Sequence, residues 1–253
     1  MSLFKIGSVP FTPNPPKFFN DTVTPTNSTD IFQFSLLSSK SINIALSGIT
    51  DGEAVALTLF KDKNNNGILD STDTKIQATF DDGKNNQDDA TINIRSLTAG
   101  TYFAQVTYSK FSSVNLVNYQ IGFSSTSPGS ATNLLPKEVE LGNLDYASYQ
   151  DQWLDDSDTS DTYHFTLDTN DVEFRLSITG LTGDADVRLI RDSNNNGFFD
   201  PGEVVARSMN LGTASEYITR NQPDTWLDAG SYFIQVYQYS GNISYDLSAI
   251  VLS

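Results

Sequence analysis

The sequence predicts an all-β chain built as two tandem β-sandwich domains. Three observations predict it: short apolar runs that alternate residue by residue, turn-forming residues crowding the segments between them, and a long internal repeat. Ile42, Ile44 and Leu46 alternate, as do Phe174, Leu176 and Ile178, so each set lines one face of a strand. Tyr102, Ala104 and Val106, like Tyr232, Ile234 and Val236, follow an Ala-Gly turn that launches a late strand. Tyr119, Ile121 and Phe123 close the first copy; Tyr245, Leu247 and Ala249 close the second. No helix of ten or more residues is expected.

The repeat sets the domain organisation. Lys61-Asp62-Lys63-Asn64-Asn65-Asn66-Gly67 recurs 130 positions later as Arg191-Asp192-Ser193-Asn194-Asn195-Asn196-Gly197, and the same offset carries Ala99-Gly100-Thr101-Tyr102-Phe103 onto Ala229-Gly230-Ser231-Tyr232-Phe233. Asp30-Ile31-Phe32-Gln33-Phe34 answers to Asp161-Thr162-Tyr163-His164-Phe165 at an offset one residue larger, as loops of variable length would give. Ser124 to Ser130, rich in small polar residues with Pro and Gly, is the linker candidate. The expected order is an extended Pro-rich lead-in over 1–27, a first repeat over 28–124, a linker over 125–130 and a second repeat over 131–253.

Composition excludes several classes. A formal charge of -16, from 31 acidic and 15 basic residues, repels phosphate backbones and anionic headgroups, so neither nucleic acid nor membrane insertion is expected. No run of about 18 apolar residues is present, and the N-terminus lacks the order of a secretory signal. The absence of cysteine removes disulfides and thiolate chemistry, and a single histidine leaves little for imidazole-based metal centres.

The repeated loops have metal-ligand spacing. Calcium loops of the EF-hand type place oxygen ligands at positions 1, 3, 5, 7, 9 and 12 with glycine at 6. In the second copy Asp192, Asn194, Asn196, the Phe198 carbonyl, Asp200 and Glu203 take these places around Gly197; in the first, Asp62, Asn64, Asn66, the Ile68 carbonyl, Asp70 and Asp73 do so around Gly67. Carboxylates supply charge to a hard cation, and amide oxygens limit their mutual repulsion. Each loop follows a strand, so a helix-loop-helix is rejected, and two calcium ions with a stabilising role are expected. An ordinary Asn/Asp/Gly turn is the competing reading, weakened by the matched second copy. Asp81-Asp82, Asp88-Asp89 and the run Asp155 to Asp161 read as solvated loops, with Asp156, Asp158 and Asp161 as candidates for a further ion.

Asp158-Thr159-Ser160-Asp161-Thr162-Tyr163-His164-Phe165, Leu181-Thr182-Gly183-Asp184-Ala185-Asp186-Val187-Arg188-Leu189, Ala229 to Val236 and the closing Tyr245-Asp246-Leu247 together resemble the bacterial pre-peptidase C-terminal domain family. The first copy resembles it more loosely, since Gly52-Glu53-Ala54-Val55 departs from Gly-Asp-Ala-Asp. The resemblance implies jelly-roll-like β-sandwiches appended to secreted peptidases or other exported proteins, with relatives that bind calcium or, in bacterial collagenases, collagen. It implies an extracellular or cell-surface location and no catalytic residues.

Other functions have thinner support. A hydrolase of the serine type needs a nucleophile with a base, and the only imidazole, His164, alternates with Tyr163 and Phe165 as an outward-facing structural residue would. A glycosidase needs paired carboxylates, but the acidic residues cluster in turns. An adhesion or substrate-binding module for extracellular protein or polysaccharide would use exposed rings, for which Trp153, Trp226, Tyr237 and Tyr239 are candidates. A calcium sensor would need a bistable element that a repeated sandwich does not offer.

Overall fold

A computed structural model describes residues 2–49, 52–81, 89–113 and 115–252, in which every helical or extended element is a strand. Asp82 and Asp88 of the first polar loop lie outside the described residues. The first unit contains β1 (Ser2–Ser8), β2 (Lys17–Val23), β3 (Thr29–Leu36), β4 (Lys40–Ser47) and β5 (Val55–Lys61). It continues with β6 (Thr74–Asp81), β7 (Thr91–Leu97), β8 (Gly100–Tyr108) and β9 (Val117–Thr126). The second contains β10 (Val139–Asn143), β11 (Tyr146–Leu154), β12 (Ser160–Leu167), β13 (Glu173–Thr179) and β14 (Asp184–Arg191). It ends with β15 (Val204–Ser208), β16 (Glu216–Arg220), β17 (Gly230–Ser240) and β18 (Ile243–Leu252).

Each unit is a sandwich of a five-stranded and a four-stranded sheet, β1-β3-β8-β5-β6 over β2-β9-β4-β7 and β10-β12-β17-β14-β15 over β11-β18-β13-β16. The two orders correspond strand for strand, and in both units the first and third strands pair in parallel while the other pairings are antiparallel. The duplication therefore includes the opening strands of each unit.

Alternation along the strands does what the sequence predicts: Ile42, Ile44 and Leu46, like Phe174, Leu176 and Ile178, are buried between the sheets. The two cores share a motif. Phe34 stacks on Tyr102 with centroids 5.5 Å apart, and Phe165 stacks on Tyr232 at 5.3 Å. Each tyrosine hydroxyl donates to a carbonyl four residues upstream, Tyr102 to Thr98 at 2.7 Å and Tyr232 to Asp228 at 2.8 Å. The phenol thus fills the core with its ring and satisfies its polar tip at the turn.

Two boundaries differ from expectation. The segment 1–27 is not a lead-in, because β1 pairs with β3 and β2 with β9. Its prolines mark the crossing between these strands, where the Thr12 N–H donates to the Ser125 carbonyl and the Ser125 N–H to that of Pro10. Nor is 125–130 wholly a linker: Ser125 and Thr126 complete β9, and residues 132–138 pack with the first unit. Small polar side chains read as unpacked chain, yet here they are bonded, Ser124 Oγ donating to Asn133 Oδ1 at 2.6 Å and Asn133 Nδ2 to the Asn14 carbonyl at 2.9 Å. Leu134 and Leu135 are buried as well.

Gly183 has a steric reason. A Cβ there would stand 2.8 Å from Ile243 Cγ1 and 3.0 Å from the Asn242 carbonyl oxygen. Gly183→Ala is expected to destabilise the second unit by about 1–3 kcal/mol through overpacking, measured as a lowered urea midpoint.

Candidate metal loops

Both loops leave the fifth strand of their unit, and in both the first ligand position is held by the neighbouring strand: the Asp62 N–H donates to the Thr101 carbonyl at 3.0 Å and that of Asp192 to the Ser231 carbonyl at 3.1 Å. Asp62 and Asp192 are buried, whereas the Asn-rich tips face solvent.

The internal hydrogen bonds repeat position by position. In the second loop Asp192 Oδ1 accepts from the Asn196 N–H and Oδ2 from that of Gly197, both at 3.1 Å. Asn194 Oδ1 shares the Asn196 N–H at 3.1 Å, and Asn196 Oδ1 accepts from the Phe198 N–H at 3.0 Å. Asp200 Oδ2 draws in both amides, Asn194 Nδ2 and Asn196 Nδ2, each at 2.9 Å. Glu203 closes the loop, accepting from the Ser193 N–H at 3.0 Å and the Asp200 N–H at 2.9 Å.

In the first loop Asp62 accepts from Asn66 and Gly67, Asn66 from Ile68, and Asp70 from the side chains of Asn64 and Asn66. Asp73 takes the part of Glu203, with both bonds, to the N–H groups of Lys63 and Asp70, at 3.0 Å. Asp70 is further bonded by Thr72, whose hydroxyl and N–H, with Asn66, hold its carboxyl down at about 2.

The backbone explains the residue choice. Asn65 and Asn195 sit at φ 55 and 54, and Gly67 and Gly197 at φ 72 and 73, so two of every six loop residues occupy the left-handed region. Asparagine and glycine tolerate that region best. The result is a tight coil with the side-chain oxygens of positions 1 and 3 meeting at one amide, and its carboxylate oxygens retain lone pairs beyond the N–H bonds they accept. Among the described residues no three His, Cys, Asp or Glu side chains form a metal cage by themselves. These loops fit a hard cation only as mixed carboxylate, amide and carbonyl donor sets, which is the donor chemistry calcium takes.

The other candidates are dispersed. Asp155 Oδ1 caps the turn by accepting from Ser157 and Asp158, Asp156 Oδ1 accepts from Gln238 at 3.1 Å, and Asp161 accepts from the buried Tyr245 hydroxyl within β12. Asp161 is thus a strand residue engaged with the core, not part of a solvated loop. Of the four rings, Trp153 and Tyr239 are exposed at the end where β17 turns into β18, Trp226 is exposed at the opposite end, and Tyr237 is buried. They do not form one patch.

His164 lies on the face away from the core, as expected, but it is only 4% exposed. Its Nδ1 lies 2.6 Å from Glu140 Oε2 and its Nε2 2.9 Å from Ser231 Oγ. The chain of bonds ties β10, β12 and β17 together across the outer face. Sequence reasoning missed it because the partners are distant in the chain and only the parallel pairing of β10 with β12 sets Glu140 opposite His164.

Two repeats of one sandwich topology, each with an acidic loop after its fifth strand, define a tandem β-sandwich module. The model of one family matches residues 28–107 and 159–238, more than half of the chain. The chain belongs to the bacterial pre-peptidase C-terminal domain family. A solved pre-peptidase C-terminal domain of collagenase from Bacillus anthracis is similar over 49% of this chain and 93% of that one, at 15% identity and a TM-score of 0.32. The CUB1-EGF-CUB2 domain of human MASP-1/3 is similar over 93% of this chain and 99% of that one, at 7% identity and a TM-score of 0.29. Comparison with curated proteins finds no match.

Proposed function

We propose that the chain is a non-catalytic module of an exported bacterial protein in which one calcium ion per unit staples the loop after the fifth strand. The observation that supports it is the position-by-position repetition of the loop: two segments 130 residues apart keep the same side-chain ligand types at positions 1, 3, 5 and 9, an acid at position 12, the same left-handed positions and matching hydrogen bonds. An ordinary turn needs far less agreement than this.

The second loop is the stronger site. Glu203 reaches further than Asp73, giving a bidentate end, and Glu203 is buried while Asp73 is partly exposed. Calcium at ten times the dissociation constant is expected to stabilise a unit by about 1.4 kcal/mol. Thermal unfolding with millimolar calcium, magnesium or chelator tests this, beside Asp62→Ala and Asp192→Ala. A calcium-specific rise that each variant reduces, Asp192→Ala more than Asp62→Ala, supports two structural sites. A melting temperature indifferent to calcium leaves the loops as turns.

A further inference from the structure

The four-stranded sheet of each unit has an outward face, and the two units treat it differently. In the first unit one row across that face reads Phe18, Gly122, Ala45 and Thr91 through β2, β9, β4 and β7. Residues 134–138 roof the row. A Cβ on Gly122 would stand 3.0 Å from Leu134 Cδ2 and 2.7 Å from Phe18 Cε1, and the Thr91 hydroxyl donates to Glu138 Oε1 at 2.5 Å. Ala45 is buried although it points away from the core.

The corresponding row of the second unit reads Ser148, Ser248, Ser177 and Tyr217 through β11, β18, β13 and β16. The cores fix the correspondence: Ile121 and Phe123 flank Gly122 as Leu247 and Ala249 flank Ser248, and Ile44 and Leu46 flank Ala45 as Leu176 and Ile178 flank Ser177. Here the row is open. Ser148 is exposed, and so is Tyr217, by 59%. Two further rings share the face, because Tyr146 lies opposite Ile250 and Trp153 opposite Ser244, and these partners alternate with the buried Ala249 and Tyr245. They are 61% and 50% exposed, and the Trp153 indole N–H donates to Asp155 Oδ2 at 3.3 Å. With strands about 4.8 Å apart and about 3.3 Å per residue, the three rings stand roughly 15–20 Å from one another.

The chemistry of the face selects the partner. Protein interfaces gather their apolar groups at a contiguous centre, whereas here the centre is serine and the rings stand around it. Along β18, β13 and β16 the charged residues pointing outward are Arg175, which donates from Nε to Glu173 Oε1 at 2.6 Å, and Asp246, which accepts from the Asp151 N–H at 3.0 Å. In a chain of formal charge -16, a face this close to neutral matches an uncharged ligand. A pyranose offers a C–H face to an aromatic ring and hydroxyls at its edge, and a ligand that reaches rings so far apart must be long and extended. We propose that this face binds a neutral, extended polysaccharide, stacked on Tyr146, Trp153 and Tyr217 and hydrogen-bonded by the serines between them. None of these residues belongs to a metal loop, so the two readings stand or fall separately.

Affinity electrophoresis of the full chain in native gels containing hydroxyethylcellulose or galactomannan, with calcium present, tests this. Retardation in at least one is expected. Tyr146→Ala and Tyr217→Ala are each expected to weaken it by roughly three- to tenfold, and the double variant to abolish it with an unchanged urea midpoint. Tyr239→Ala, exposed on β17 outside this face, and Asp192→Ala in the metal loop are expected to bind as the natural chain does. Trp153 supplies a second readout: the retarding polysaccharide is expected to shift tryptophan emission, and Trp153→Phe, which keeps a ring, to remove the shift and retain binding. No retardation in either gel, or retardation that the double variant leaves unchanged, overturns the proposal. Binding confined to polygalacturonate or to gelatin, run as the anionic and polypeptide probes, overturns it too.

Discussion

Phe174→Ala is expected to destabilise the second unit by about 3–5 kcal/mol, a large part of the total stability of a domain this size. Phe174 is fully buried and stacks on Phe165 at 5.6 Å with the rings 8° from parallel, and Phe165 in turn stacks on Tyr232. Removing the outer ring of a three-ring column leaves a cavity that strands fixed on both sides cannot collapse to fill. The effect is local, because the hydrophobic cores of the two units have no residue in common. Both tryptophans, Trp153 and Trp226, lie in the second unit, so tryptophan fluorescence in urea reports that unit alone. Phe174→Ala should shift the fluorescence midpoint sharply, and Phe34→Ala, which breaks the corresponding stack in the first unit, should leave it in place. Equal shifts from both variants would refute separate cores.

The inner faces of the strands are legible in the sequence because one buried face imposes a period of two, and Ile42 to Leu46 or Phe174 to Ile178 keep it without interruption. The loops are legible because ligand spacing is fixed within one short segment and then repeated. The opening strands are not. Lys17 to Val23 is partly exposed along nearly its whole length and follows a proline cluster, so neither alternation nor propensity marks it. The family match begins at 28 and at 159, after the first two strands of each unit, so the resemblance is also silent there. Contacts made by sheet order rather than by spacing leave no signature either. His164 becomes a neighbour of Glu140 and Ser231 only once the parallel pairing of β10 with β12 and the antiparallel pairing of β12 with β17 have been specified.

Between pH 4 and pH 7 the second unit is expected to lose stability as pH rises, and Asp161 carries a main part of that loss. The residue keeps some contact with solvent, but its carboxyl group is packed against the buried Tyr245 hydroxyl, and burial pushes it up to about 6 even though the hydrogen bond from Tyr245 pulls it down. The folded state therefore holds this proton more tightly than the unfolded chain, whose aspartates titrate near 3.9. The stabilisation is complete below the unfolded value and is lost as pH climbs through about 6, amounting to roughly 1–3 kcal/mol. Asp186, also pushed up to about 6 by burial, acts with the same sign. Asp155 has the opposite sign, because hydrogen bonds led by the Ser157 hydroxyl hold it down, but that contribution is lost only at lower pH. Urea midpoints read by tryptophan fluorescence with chelator present separate these effects. Asp161→Asn, which still accepts from Tyr245, should flatten much of the slope. Tyr245→Phe removes the bond that favours the carboxylate, so the decline should extend to higher pH. A slope unchanged by Asp161→Asn would assign the pH dependence to other carboxyl groups and make the Asp161–Tyr245 contact neutral to titration.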